Sequence, residues 1–247
     1  MQGLVTIDFG NTNPHAGLFQ KYQSEWKLIK VVPWNELTLY LNQLQMSSDT
    51  TTMVLAEVKS RDEDISRLQE QGYLITRVKD YWRGMRFAGM PVHYAHSLGE
   101  DRLIQAYFAY KSIKKNTLIL DAGTFLTMDV VTEKGFEGGY IIPGLNHYLE
   151  TFQNGELLKD ISLNSNVSSG LPHASAEAMR DSYSAFAALA LKLIKDYKIE
   201  KILLSGGQAG IWKDILSSHG HIEDVQEEKA LIHFSLHYWM TTQIELL

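Results

Sequence analysis

The stretch Leu4-Val-Thr-Ile-Asp-Phe-Gly-Asn-Thr-Asn13 joins a β-branched run to a carboxylate and a sharp turn. Asp8 stands where the strand should end, a position from which a carboxylate can hold Mg²⁺ directly or through water. Gly10 lacks a Cβ, so the backbone there can bend sharply or let a ligand come close. The turn's amides, with the side chains of Asn11, Thr12 and Asn13, can cradle a phosphate. Equally, they can form an Asx-type turn that closes a hairpin onto residues 16–20. A second copy favours the phosphate reading. Residues 117–124, Thr-Leu-Ile-Leu-Asp-Ala-Gly-Thr, repeat the apolar strand, Asp121, one spacer, Gly123 and Thr124. Two such turns, each opening one half of the chain, point to a duplicated domain.

The elements that must position these residues follow from periodicity. Strands are predicted at 4–9, 16–20 and 27–32. An amphipathic helix follows at 34–45, with Leu37, Leu41 and Leu44 on one face. A buried strand at 53–58 precedes a polar helix at 60–71, which Ser60 and Glu63 mark with a capping box. Residues 73–78 read as a strand. The stretch 81–98 is irregular and aromatic-rich, and 100–113 is helical. The second half repeats three strands at 117–121, 126–131 and 136–142, then a helix at about 145–153 and a loop at 154–172. A long helix at 174–197, a strand at 201–205 and an amphipathic helix at 227–246 complete it. The β-β-β-α-β-α-β order mixes antiparallel and parallel pairing. The boundary falls near 114–116, giving lobes 1–115 and 116–247.

Composition bounds the function. A chain of 247 residues with 45% hydrophobic and 21% charged residues is ordinary for a globular protein. Its net charge of −6 argues against a nucleic-acid partner. Any phosphate site must therefore be local, built from backbone amides, a metal and one or two cations. The absence of cysteine excludes disulfides and thiolate chemistry. The first residues read straight into a strand, without a leader pattern, and the longest apolar run, 185–194, is interrupted by Lys192 and too short to span a bilayer. These features predict a cytoplasmic protein with no membrane partner.

Four stretches in order resemble the type III pantothenate kinases (the Bvg accessory factor-like family), within the actin, hexokinase, and sugar and acetate kinase superfamily. They are Asp8-Phe-Gly-Asn-Thr-Asn13, Gly99-Glu-Asp-Arg102, Asp121-Ala-Gly-Thr-Phe-Leu-Thr-Met-Asp129 and Gly138-Gly-Tyr-Ile-Ile-Pro-Gly144. The resemblance implies an α/β fold of two similar ribonuclease H-like lobes, each a mixed five-stranded sheet with helices. It implies ATP-dependent phosphorylation of pantothenate to 4'-phosphopantothenate, the first step of coenzyme A synthesis. Asp8 would anchor Mg²⁺ on the ATP phosphates, within a phosphate turn of Phe9, Gly10, Asn11, Thr12, Asn13, Pro14 and His15. Thr124 and the Gly206-Gly207 turn would contact ATP from the second lobe, although the glycine pair can also serve only a tight strand-to-helix turn. Asp121 would bind a monovalent cation, K⁺ or NH₄⁺. Asp101 matches the family's general base, and Gly99, Glu100 and Arg102 its substrate contacts. Arg suits a carboxylate because its planar fork binds bidentately. Read without the resemblance, Glu100 and Asp101 complement a helix N-terminus. The family also implies a homodimer with a shared substrate pocket.

This sequence departs from the family pattern on the substrate side. Val92 stands where a tyrosine is usual, and Tyr94 two residues on lies on the same face of an extended segment. Ser175 is the best match for a substrate-contacting threonine, and Ser182 replaces a glycine. Pro14 and His15 are unusual beside the phosphate turn. His93 and His96 bracket the substrate-side loop. Two further functions stay open: a catalytically weak homologue with a regulatory or accessory role, and a same-fold kinase acting on another small hydroxy acid.

Overall fold

The computed structural model describes residues 2–10, 12–153, 155, 171–218 and 224–244. The chain divides into two compact units. The first comprises Met1–Lys114, Glu133–Gly138 and Ala230–Leu247; the second comprises Lys115–Thr132 and Gly139–Lys229.

In the first unit β1 (Gly3–Phe9), β2 (His15–Tyr22), β3 (Glu25–Pro33), β4 (Thr51–Glu57) and β5 (Leu74–Arg77) form one sheet in the order β3-β2-β1-β4-β5. β1 pairs antiparallel with β2 and parallel with β4, so Asp8 faces His15 on one side and Ala56 on the other. Alternation along β1 sends Val5, Ile7 and Phe9 into one core with Leu55, Ile65 and Leu68. Leu4 and Thr6 are also buried, so the strand is covered on both faces, as a central strand must be. Helices α1 (Leu37–Gln43) and α2 (Asp62–Glu70) supply leucines and Ile65 to the first core.

Several elements differ from the sequence expectation for local physical reasons. Trp34–Glu36 is a 3₁₀ turn before α1. The capping box at Ser60 does not form: Ser60 Oγ donates to Asp62 Oδ2 at 2.6 Å, and α2 begins two residues later behind an acidic first turn. Within 81–98 three two-residue strands, β6 (Trp82–Arg83), β7 (Arg86–Phe87) and β8 (Met90–Pro91), make a small antiparallel sheet. A parallel bridge from Val92 to Phe136 ties that sheet down. Helix α3 (Glu100–Phe108) then runs into a π turn at Ala109–Ile113, and Lys114 ends it in the left-handed region.

A second five-stranded sheet, which lies in the second unit apart from residues 135–138, repeats this order. β9 (Thr117–Ala122), β10 (Phe125–Thr132), β11 (Gly135–Pro143), β12 (Lys201–Ser205) and β13 (Val225–Glu227) lie in the order β11-β10-β9-β12-β13. α4 (Leu145–Glu150) follows β11. Most of the expected 154–172 loop lies outside the described residues. The expected single helix at 174–197 is two, α5 (Ser175–Ser184) and α6 (Ala187–Asp196). Ser182 Oγ and Ser184 Oγ donate to the Ala178 and Asp181 carbonyls just before the break, a bonding habit that bends helices. α7 (Ala209–Ser218) buries Trp212 and Leu216 beside Leu118, Leu120 and Leu204.

The final helix, α8 (Leu231–Ile244), counts with the first unit. It was expected from 227 with one apolar face, yet residues 225–227 are β13 and α8 begins at Leu231. Residues 231–233, 235, 236 and 239 are buried and 234, 237, 238 and 240–242 half-buried, so no residue of this stretch is fully exposed. Among the described residues no helix is long and apolar enough to cross a membrane.

Gly135 opens β11 with φ +111°, and an added Cβ would run into the Pro91 carbonyl next to the Val92–Phe136 bridge. Gly135→Ala should cost about 2–4 kcal/mol in urea denaturation. Gly210→Ala, on α7 with open space around it, should instead stabilise by ~0.5 kcal/mol. Equal effects at the two positions would show that the Gly135 turn is not constrained as described.

Candidate functional site

In the first unit, β1 delivers Asp8 to its carboxyl end with a side chain 13% exposed, and His15 Nε2 lies 3.6 Å from Asp8 Oδ2. Burial lowers the His15 pKa, so near neutral pH a neutral ring faces the carboxylate. A Cβ on Gly10 would sit 3.6 Å from Asp8 Oδ2, an ordinary contact, so glycine leaves space in front of the carboxylate. Phe9 points the other way: its ring is fully buried edge-on to Trp34 and beneath the Arg61 guanidinium. Thr12 and Asn13 are exposed, Pro14 and His15 half-buried, and Asn11 lies outside the described residues.

The Gly99-Glu100-Asp101-Arg102 run forms the N-terminus of α3. Asp101 Oδ1 accepts the Arg102 backbone N–H at 2.8 Å, which satisfies one of the amides that a helix start leaves without an intrahelical partner. Its carboxylate folds back over Gly99, where any Cβ would collide with Oδ1. Burial raises the Asp101 pKa, against the opposing pull of the Arg102 amide and guanidinium. Arg102 is itself buried, its guanidinium 5.3 Å from the Tyr94 ring centroid and 5.9 Å from that of Phe136. Val92 is 1% exposed and held in the bridge to Phe136, so at that position it is Tyr94 that meets the arginine.

Glu100 turns towards the end of β4. Its Oε2 accepts the Glu57 N–H at 3.1 Å, and the Lys79 backbone also bonds to it. Burial and the neighbouring Glu57 charge push its pKa up to about 7, against the pull of those amides and the Lys79 ammonium. Glu57 is a hub that the sequence reading missed. Its carboxylate, 5% exposed, accepts from the Arg61 amide at 3.1 Å and pairs with Lys79 Nζ at 2.8 Å and Arg77 Nη1 at 3.5 Å. The available signal was its place at the carboxyl end of a strand beside β1, where open α/β sheets bind ligands. Phe136 was missed too, because nothing local in its strand marks it as a partner for Arg102. His93 Nε2 lies 3.1 Å from the Lys134 carbonyl and the His96 ring packs 4.8 Å from Trp82.

In the second unit Asp121 holds the matching position, paired with Ser205 across the parallel β9–β12 ladder and Thr127 across the antiparallel one. Gly206 adopts φ +83°, and a Cβ there would fall 2.7 Å from Asp121 Oδ1 and 2.5 Å from the Ala122 carbonyl oxygen. Gly207 faces open space. The turns are knitted together: the Gln208 amide donates to Ala122 O at 3.0 Å, and Gln208 Oε1 accepts the Leu145 N–H at 3.1 Å. Gly144 N–H donates to the Thr124 carbonyl at 3.0 Å. Ser175 is exposed at the start of α5.

The donor chemistry fits the implied ions. Among the described residues no group of three or more His, Cys, Asp or Glu could hold a metal alone. Mg²⁺ is commonly bound by one or two carboxylates together with substrate phosphates, which suits a single Asp8. Asp121, beside Gly206, has the hard oxygen that the implied monovalent cation would need.

A profile of the type III pantothenate kinase family matches residues 4–196. The type III pantothenate kinase of Myxococcus xanthus is 30% identical over 169 residues, which cover 63% of this chain and 65% of that protein. The chain thus spans less than two thirds of the length of this relative. A structure from Campylobacter jejuni, described as a Baf family transcriptional activator, superposes with a TM-score of 0.61 at 17% identity, covering 98% of this chain and 99% of that one. A Listeria monocytogenes protein described as an N-acetylmannosamine kinase superposes with a TM-score of 0.56 at 12% identity, covering 98% of this chain and 100% of that one. At such identities the structures speak to the fold alone, which is the α/β actin/hexokinase type with two mixed five-stranded sheets.

The raised Glu100 pKa has a stability consequence. Folded Glu100 keeps its proton to about pH 7, whereas the unfolded chain releases it near 4.5. Its contribution is therefore fully present below pH 4.5 and is lost as pH rises through 7, a change of about 3 kcal/mol. Glu100→Gln should flatten that part of the stability–pH curve and exceed wild type at pH 8. Parallel curves for the two proteins from pH 4.5 to 8 would contradict the assignment.

Proposed function

Because the chain belongs to the type III pantothenate kinase family, we propose that it transfers the γ-phosphoryl group of ATP to the hydroxyl of pantothenate, giving 4'-phosphopantothenate. The observation that carries this reading is the half-buried Asp101 beside the buried Arg102 at the start of α3, with Arg102 set against Tyr94 and Phe136. A carboxylate and an adjacent planar cation are what a hydroxy acid needs: one takes the hydroxyl proton, the other binds the substrate carboxylate.

Phosphoryl transfer passes through a loose transition state, so catalysis rests on positioning and charge neutralisation. Asp101 is the general base, and its raised pKa makes it a better proton acceptor than an exposed aspartate. Arg102, fixed by its aromatic neighbours, orients the acid. Asp8, with Gly10, Thr12 and Asn13, would hold the ATP phosphates, where Mg²⁺ would supply charge neutralisation. Thr124 and the Gly206-Gly207 turn would contact the nucleotide, and Asp121 would hold K⁺ or NH₄⁺. The enzyme works in the cytoplasm as a homodimer with a shared substrate pocket. Val92 supports a second reading, a kinase for another hydroxy acid, because its buried side chain cannot offer the hydroxyl of the family's tyrosine. A panel of acceptor acids separates the two.

Asp101→Asn keeps shape but cannot take the proton. ADP release with pantothenate should fall about 10²–10⁴-fold, with the unfolding midpoint nearly unchanged. A variant that keeps most of its turnover would remove Asp101 from this role. Exchanging K⁺ for tetramethylammonium at constant ionic strength should suppress turnover, and equal rates would take the cation role from Asp121.

A further inference from the structure

Behind Asp8 lies an arrangement that neither the fold nor the phosphate turn requires. The His15 ring packs against His233 of α8, with centroids 4.8 Å apart and planes inclined by 59°. His233 Nδ1 is 2.8 Å from Thr6 Oγ1, and that hydroxyl donates to the Gly17 carbonyl at 3.2 Å. With its proton committed to Gly17, Thr6 accepts from His233, which fixes the Nδ1–H tautomer. Gly17 makes the approach possible: a Cβ there would fall 2.7 Å from His233 Cγ and 2.6 Å from Thr6 Oγ1. His233 is 1% exposed, and burial, with His15 nearby, lowers its pKa to about 3, so it is neutral.

The buried Nε2 of His233 and Nδ1 of His15 have no hydrogen-bond partner among the described residues. A buried acceptor left unsatisfied is destabilising, and Leu or Phe would fill the same space without that cost. Packing alone therefore does not account for an imidazole at 233. What the ring adds is a fixed orientation, keyed by Thr6 and passed through ring contact to His15. His15 in turn ends 3.6 Å from Asp8 Oδ2.

We propose that His15 is a positioning residue for Asp8, and that His233, locked by Thr6, is the buttress that sets the His15 ring. The inference rests on the reading of Asp8 as the phosphate-side carboxylate. In this arrangement α8 controls the first phosphate turn without touching nucleotide. The contact is geometric: the His15 ring, held by His233, sets Nε2 3.6 Å from Asp8 Oδ2.

The test is a double-mutant cycle read by calorimetric titration of Mg-ADP, with nucleotide raised until the weakest variant saturates and urea unfolding run on each protein. His15→Leu should weaken Mg-ADP on the order of tenfold, and His15→Gln, whose polar amide can reach towards Asp8, should recover most of the loss. His233→Leu should weaken binding in the same direction, with a folded state at least as stable as wild type. In an Asp8→Asn background, His15→Leu should cost nothing further. The proposal is overturned if His15→Leu binds like wild type while Asp8→Asn does not, or if the His15 effect persists undiminished without Asp8. If Asp8→Asn alone leaves Mg-ADP binding unchanged, the phosphate-turn reading fails and takes this one with it.

Discussion

Each sheet turns on a central strand with one antiparallel and one parallel neighbour. At the carboxyl end of such a strand the chain must reverse towards its antiparallel partner, while the parallel partner's chain runs on towards a helix. The two backbones part there, and a gap opens at the strand end, where open α/β sheets receive ligands. Asp8 stands at this point between His15 and Ala56, and Asp121 stands at its counterpart between Thr127 and Ser205. The aspartates recur because the topology recurs.

Around the first of these ends the protein manages buried charge by two different means. Glu57 is surrounded by two cations and an amide, so its ionised form is satisfied in place. Glu100 relies mainly on backbone amides, and burial outweighs them. An unpaired buried carboxylate is costly, whereas one tied to neighbouring backbone fixes geometry. Glu100 thereby fastens the start of α3 to the end of β4. The same helix start presents Asp101 and Arg102, so their placement inherits the rigidity of the sheet.

The sequence showed the parts of this design that repeat with a short period. The strands of β1, β2, β9 and β10 announce themselves through unbroken apolar runs, and the two Asp-x-Gly turns through their spacing. It hid what depends on distant partners. β6, β7 and β8 are two residues each, too short for alternation to register. The pattern of α8 looked one-sided because polar residues such as His233 and Ser235 read as a solvent face, although both are buried. Ser60 was a plausible cap, but a nearer aspartate took its hydroxyl. Glu57, Phe136 and His233 carry no local mark of their role, since each is defined by a residue far away in the chain. The exchange of Val92 for Tyr94 was visible as spacing, but only the bridge to Phe136 shows which ring meets the arginine.

The position of α8 also sets an order of assembly. All the segments of the second unit are synthesised before the helix that completes the first. On a growing chain the second sheet can close while the inner face of β1 still lacks α8, leaving Thr6 and the cleft at Gly17 uncovered. The unit encoded first is thus finished last, through contacts between the two extremes of the sequence, and such non-local closure is slow and exposed to misassembly. The burden on cellular chaperones should fall on the first sheet during that interval.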